Sequence, residues 1–531
     1  MTGVGKGLRL PDLSRTDMAA DLDQLIQYLT TAHPDPYRGF GGPVPFYRAV
    51  ARLEADLPIH ATRAAFLARL RPLVAGVRDG HTTIHGPDIE TSSARVWLDF
   101  GIVEHTVYVR TVYTPEDVRL LGARVLAIAD QPVQAVADRV AGTVGCDNAM
   151  DVLRHLVHIF QDPALARAGL PDGRVDPLSL TCERADGTRE TVAVPWSAEA
   201  PGEPVRPPSA VALPSRGPAQ MGWGFLDDGG RVACLRVGVL MRYREAAETW
   251  RHTGYRRSLD EWYQEVHGPD QPLPKSDVDA FIASRPAATD LLAALVDGAH
   301  ARQTEWVIVD CSECPGGNST VASILAWFLF GEEAVSGLDD GYQIRRYSPL
   351  YAENYGSIPD PGALAHGGYD FHEEAAWHAR RAGAADAHAE ARQAWSEWVS
   401  SVPTFAGAVT AGRRPAIHPR VVVVTGAETY SAGFDVALTL RKPGAIHVGV
   451  PSAQAPNCFI DVLRYTLPHS GLTGHISFKE SFALPGEALP DRLLAPEIPL
   501  TYAQLQAYGF DPAAGIRLAL DTVMGNADPA S

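Results

Sequence analysis

The sequence predicts an α/β protein built on a mainly parallel sheet, and three observations predict it. From residue 221 onward, strand-like and helix-like segments alternate, which is the rhythm of βαβ units. Two strand-like runs, TEWVIVD (304–310) and RVVVVTG (420–426), are apolar almost without a break, as strands covered on both faces are. The chain ahead of them changes period twice, from helical spacing to alternation, which predicts two further parts before the sheet.

The first part, 1–90, reads as helical. DMAADLDQLIQYLTTAH (17–33), FYRAVARLEADL (46–57) and TRAAFLARLRPLVAGV (62–77) place apolar residues three and four apart, with Thr62 as the cap of the last. RDGHTTIHG (78–86) then predicts a turn and a short strand. The second part, 91–205, reads as strands and hairpins. These are ARVWLDFGIVEHTVYVRTVY (94–113), ARVLAIADQPV (123–133) and LSLTCERADGTRETVAVPW (178–196), the last turning at Asp186–Gly187. One helix, AMDVLRHLVHIF (149–160), interrupts them, and the boundary to the third part falls within a Pro-rich linker (198–220). In the third part, 206–531, the strand RVACLRVGVL is followed by the helix TDLLAALVDGAHARQ and then TEWVIVD. The loop CSECPGGNS leads into the helix TVASILAWFLFG, and RVVVVTG into a helix opening at Ser431, before the strand AIHVGV. A Trp- and Ala-rich stretch within 336–418, carrying Trp377, Trp395 and Trp398, reads as an insertion or lid.

The 531 residues are enough for several cores, and 46% hydrophobic content is that of a globular protein. A net charge of −17 argues against non-specific nucleic-acid or anionic-membrane binding. No run of 18 apolar residues and no apolar leader segment occur, so the expectation is a soluble cytoplasmic protein. Cys311 and Cys314 form one CxxC with no second pair at zinc-site spacing, so neither metal nor cofactor is expected.

Three stretches carry candidate chemistry. In VVVVTGAETYSAGF, Ser431 follows a buried strand and starts a helix, so it is either an N-cap or a nucleophile. The helix start at Ala432 and Gly433 offers amides to an oxyanion, and Gly433 permits close approach. In VIVDCSECPGGNS, Gly316 and Gly317 make either a tight turn or a second oxyanion donor. The stretch is not a phosphate loop, because it lacks GxxxxGK[ST]. In VRDGHTTI, His81 is one of 18 histidines that could serve as a base.

Taken in order, these stretches resemble the C-terminal processing (tail-specific) proteases and the tricorn core protease. DLDQLIQYLTTAHPDPY and FLARLRPLVAGVRDGHTTI resemble the family's N-terminal helical part and DGHT turn. LLGARVLAIADQPVQAVADRV resembles its PDZ-like segment. WVIVDCSECPGGNSTVASILAWFL and VVVVTGAETYSAGFDVALTL resemble its double-glycine and nucleophile elements. LPHSGLTGHISF and APEIPLTYAQLQAYGFDPAAGIRLAL resemble its closing segments. The resemblance implies a crotonase-like catalytic core over 206–531, a PDZ-like middle part, and a serine peptidase acting through an acyl-enzyme on Ser431.

One branch of the family uses a Lys base about 25 residues after the Ser, where this chain has Pro456, Asn457 and Cys458. Lys442 lies about 16 Å along the helix, and Lys479 falls on a later strand. His81 stands where the tricorn-like branch keeps its base. That branch places the orienting acid shortly before the PEI element (496–498), which makes Asp491 the choice and Glu487 the runner-up. The resemblance puts the oxyanion donors at Gly316 or Gly317 and Ala432. Two positions depart from the family pattern. Phe434, with Asp435 beside it, stands where a Glu is usual, and Ser312 stands where an Arg is usual. The expected partner is a peptide or small-molecule substrate, with no nucleic acid and no membrane, and a homo-oligomer is compatible with all of this. A tailoring enzyme on a small substrate is the alternative; a ligand carrier with a relict site, of the kind the family includes, is the third.

Overall fold

The computed structural model describes residues 12–86, 94–161, 163, 166, 169–170, 177–217, 220–269, 271–336, 341–383, 387–414 and 418–525. At its centre is a six-stranded sheet in the order β1 (Met221–Phe225), β2 (Val232–Val237), β3 (Trp306–Asp310), β4 (Arg420–Thr425), β5 (Ile446–Gly449) and β6 (Ile498–Pro499). Only β1 runs antiparallel, pairing with β2; the others are parallel. All of β3, and all of β4 after Arg420, is buried, as their unbroken apolar runs predict.

Alternation along these strands feeds two cores. Val307, Val309, Val421 and Val423 face the helices Ala288–Arg302, Thr320–Phe330 and Ala432–Arg441. Trp306, Ile308, Val422 and Val424 face the opposite way, toward the C-terminal helix Ala514–Gly525 and the β-rich middle part. That part is a sheet of Leu98–Val103, Thr106–Val112, Arg124–Ile128, Leu178–Glu183 and Arg189–Val194, with Gln131–Pro132 beside it. The hairpin turns at Gly187, whose φ is +82°.

A second sheet joins distant stretches of sequence. The long hairpin Asn457–Thr466 and Thr473–Phe482 takes Tyr342–Arg346 on one edge and the short strand Thr83–His85 against residues 473–475. The segment expected to be an insertion therefore supplies a strand of its own. Its helix Pro349–Tyr355 packs with the N-terminal helices, and Trp395 stacks on Trp398 beside Phe405. Sequence periodicity reports local geometry and carries no signal for such long-range pairing.

The N-terminal helices follow their signals. Ser14 and Asp17 form a capping box ahead of Arg15–Ala32, and the Thr62 side chain accepts from the Ala65 amide at 3.2 Å. Asp21, fully buried, ties this part to the second sheet by accepting from the amides of His469 (3.0 Å) and Ser470 (2.7 Å). Replacing it with Ala strands two buried donors, and Asp21→Ala is expected to cost about 3 kcal/mol of unfolding free energy in a urea titration. A cost under about 1 kcal/mol would mean that water satisfies these amides.

Candidate active site

Strand β4 ends at Gly426, and a turn stapled to β3 follows. The Thr429 hydroxyl donates to the Cys311 carbonyl (2.8 Å) and accepts from the Gly426 amide (3.0 Å), while the Tyr430 amide donates to the Cys314 carbonyl (3.0 Å). A Cβ on Gly426 would lie 2.5 Å from the Ser312 carbonyl, and one on Gly433 would lie 2.3 Å from that of Cys314. The glycines let the two strand ends approach, as expected for Gly433.

Ser431 occupies the N-cap position of Ala432–Arg441 with φ +51° and ψ −128°. Its side chain makes no capping hydrogen bond. A capping Ser has extended backbone, as Ser14 does; with this backbone the Ser431 hydroxyl is left for other work. A non-glycine residue held here stores about 1–3 kcal/mol of strain. The Ser431 amide donates to Gln454 Oε1 at 2.7 Å, which fixes the strained residue from its other side.

Gly316 lies directly against this residue. Its φ is +115°, and a Cβ there would fall 2.6 Å from the Ser431 Cβ and 2.9 Å from the Tyr430 carbonyl. The Gly316 carbonyl accepts from the Leu240 amide at 2.8 Å, and a Cβ on Gly317 would meet the Leu240 backbone at 2.5 Å. The double glycine is thus wedged between β2's extension and Ser431. Ala432 opens its helix, where amides lack intrahelical partners, and Gly433 N–H is taken by the Tyr430 carbonyl (2.9 Å).

His81 reaches the site from the N-terminal part, held by the neighbouring strand Thr83–His85 and by its own amide, which donates to Asp79 Oδ1 at 2.9 Å. Its ring stacks on Tyr430, with centroids 4.8 Å apart at 29°, and Nδ1 lies 3.2 Å from the Tyr430 hydroxyl. Nε2 is buried and has no partner among the described residues. Burial pushes the His81 pKa below its ordinary value of 6.5, against the pull of Asp79, Asp151 and Asp461.

The other expected residues fall as follows. Asp491 sits on the exposed turn Pro490–Arg492, and Glu487 is exposed nearby. Among the described residues, the hydrogen-bond partner of the His81 ring is Tyr430, and the charges acting most strongly on that ring are Asp79, Asp151, Asp461 and Arg154. Lys479 is paired with Asp461 at 2.5 Å. Asp435 accepts from the Ser319 hydroxyl, and burial raises its pKa to about 6. Ser312 donates through its amide and hydroxyl to Asp310. The thiols of Cys311 and Cys314 donate to the backbone carbonyls of Val424 (3.2 Å) and Gly238 (2.9 Å).

Sequence reading missed the cluster behind His81. The helix Ala149–His158 presents Asp151, Arg154 and His155 at helical spacing, and Arg154 lies 4.5 Å from the Tyr430 ring centre. Gly80 makes room for it, because a Cβ there would be 2.2 Å from the Tyr430 hydroxyl and 2.6 Å from Asp151 Oδ2. Cys146, Asp151 and His155 bring donor atoms within 4.8 Å of one another, a metal-like set. The Arg154 guanidinium, however, sits 2.7 Å from Asp151 Oδ1 and 3.4 Å from His155 Nε2, so it already supplies the cation there. The available signal was the i, i+3, i+4 spacing of Asp151, Arg154 and His155 in a mainly apolar helix.

No protein-family model matches the chain. No curated protein matches it either. Solved structures do. Mature CPAF complexed with lactacystin aligns with a TM-score of 0.58 at 16% identity, over 97% of this chain and 99% of that one. Mature CPAF aligns at 0.58 and 15% over the same shares, and a CPAF mutant at 0.54 and 14%, again over 97% and 99%. Over nearly its whole length the chain therefore has the fold of CPAF.

Proposed function

We propose that the protein is a serine peptidase in which Ser431 attacks a peptide carbonyl and His81 carries the proton. The observation that carries this reading is Ser431 itself: strained, uncapped, pressed against Gly316, and adjacent in sequence to the residue that stacks on His81. In this reading the amides of Ala432 and Gly317 hold the developing oxyanion, the Gly316 amide being directed at the Cys314 thiol. Nε2 of His81 takes the Ser431 proton, passes it to the leaving amine, and then activates the water that releases the acyl group. In this reading the central sheet is a crotonase-like core and the sheet of 98–194 is PDZ-like.

Intact mass after incubation with a fluorophosphonate tests the reading. One adduct on the wild type, absent from Ser431→Ala and slowed in His81→Ala, is the expected result. Lactacystin, the ligand of the CPAF complex, is a second probe. A folded wild type that never labels with either would sink the proposal.

The pH dependence follows from the burial of His81. Only neutral imidazole accepts a proton, and the pKa is lowered, so the base is available at neutral pH. The labelling rate is expected to be flat near pH 7 and to fall only at a midpoint below 6.5, where the ring protonates. A midpoint above 6.5 would show that the carboxylates around the ring outweigh its burial.

A further inference from the structure

A histidine base is effective in one tautomer and one orientation. Something must hold Nδ1 as N–H so that the Nε2 lone pair faces the nucleophile, and in a Ser–His–acid triad a carboxylate does so. At Nδ1 of His81 the structure places the hydroxyl of Tyr430, at 3.2 Å, on a ring stacked with the imidazole. Tyr430 is well fixed for such a task. Its amide donates to Cys314, its carbonyl accepts from Gly433, and Arg154 lies over its ring. It is also the residue before Ser431, so the turn that sets the nucleophile sets the Tyr430 hydroxyl with it.

Close to it, the buried Nε2 of His81 has no partner among the described residues. Buried polar atoms left open in a native fold call for an explanation. Nε2 is explained if it awaits the proton of Ser431. The phenol explains how Nδ1 is satisfied, because burial, Asp147 and Asp151 keep it protonated and therefore able to accept and donate at once.

We infer that Tyr430 is the positioning residue for His81, its hydroxyl accepting the Nδ1–H bond in the place a carboxylate occupies in a triad. The inference rests on the Ser431–His81 reading. The proton inventory is simple: Nδ1 keeps its proton throughout, Nε2 gains one from Ser431 and returns it to the leaving group, and Tyr430 changes no protonation state. The groups facing the imidazole are Asp79 on its own turn, Asp151 and Arg154 on the helix Ala149–His158, and Asp461 and His475 on the long hairpin.

Tyr430→Phe separates the hydroxyl from the ring, since Phe retains both the stack and the contact with Arg154. Its fluorophosphonate labelling of Ser431 is expected to slow by about 10²-fold, the low end of what positioned proton transfer contributes. The acid limb of the labelling profile should move to lower pH, because the imidazolium loses an acceptor. A merely structural tyrosine would move neither. Labelling at the wild-type rate with an unshifted profile overturns the inference, as does finding both effects in Asp491→Asn and neither in Tyr430→Phe. A second measurement does not depend on hydrolysis. In protein carrying ¹⁵N-histidine, the His81 signal, assigned by its loss in His81→Ala, should report the Nδ1–H tautomer in the wild type. An Nε2–H tautomer there overturns the inference even if Tyr430→Phe fails to fold. A wild type with the expected tautomer but no labelling would instead count against the Ser431 reading alone.

Discussion

Ser431→Gly is expected to abolish acylation and to make the protein more stable. The first half follows from the proposed nucleophile: removing it should cut turnover by about 10⁴-fold or more, leaving what substrate binding and the oxyanion donors supply. The second half follows from the backbone. At φ +51° and ψ −128° a side chain is strained by about 1–3 kcal/mol, and glycine is not. Glycine also makes the unfolded chain more flexible, which takes back roughly 0.5–1 kcal/mol. The net expectation is a gain of about 1 kcal/mol for Ser431→Gly and little change for Ser431→Ala, which keeps the strain. Urea unfolding of the two variants beside the wild type reads the difference directly. Equal stability of Gly and Ala variants would show that Ser431 is not strained, and the case for a poised hydroxyl would lose its main support. A capping serine predicts instead that neither variant exceeds the wild type, because losing a cap costs about 1 kcal/mol in Ser431→Ala and a few tenths in Ser431→Gly.

That contrast also shows what the sequence could and could not express. The runs VIVD and VVVVT announced buried parallel strands, Thr62 announced a cap, and Asp186–Gly187 announced a hairpin, because each rests on local chemistry. Strand β1, MGWGF, went unread: its two glycines weaken the strand pattern, yet Gly222 is there because a Cβ would lie 1.9 Å from the Ser215 carbonyl. The pairing of Tyr342–Arg346 with Thr473–Phe482 was equally silent, since pairing over more than a hundred residues leaves no periodic trace. Ser431 and His81 enter the proposed site through an ordered resemblance, whereas the dihedral angles that free the hydroxyl from capping leave no trace in the sequence. Tyr430 and the Asp147–Asp151–Arg154 group were hidden for a related reason. A tyrosine beside a serine, and charged residues on an amphipathic helix, are ordinary until the fold sets them against an imidazole. The case for Asp491 rests on its distance from the PEI element, and distance along the chain does not say which way an exposed turn points.

The largest effect away from the nucleophile is expected at Gly316. Gly316→Ala combines a backbone conformation that side chains avoid, φ +115°, with a Cβ 2.6 Å from that of Ser431. Neither neighbour can give way easily, because Ser431 is tied through its amide to Gln454 and Tyr430 through its amide to Cys314. The variant must therefore shift the loop proposed to carry an oxyanion donor, the turn that carries Ser431, or both. A displacement of about 1 Å at a reacting centre costs about 10²-fold, so labelling should slow by at least that much, with about 2–3 kcal/mol of stability lost. The control is built into the same domain. Gly444, just past the nucleophile helix, has φ +113°, and a Cβ added there would meet nothing within 4 Å. Gly444→Ala carries the backbone strain without the collision, so it should lose stability while labelling at close to the wild-type rate. If both alanine variants label equally fast, Gly316 is only a turn residue and the double glycine does not help to form the site. If Gly316→Ala alone is slow, close contact between the two loops is what aligns Ser431 with its donors.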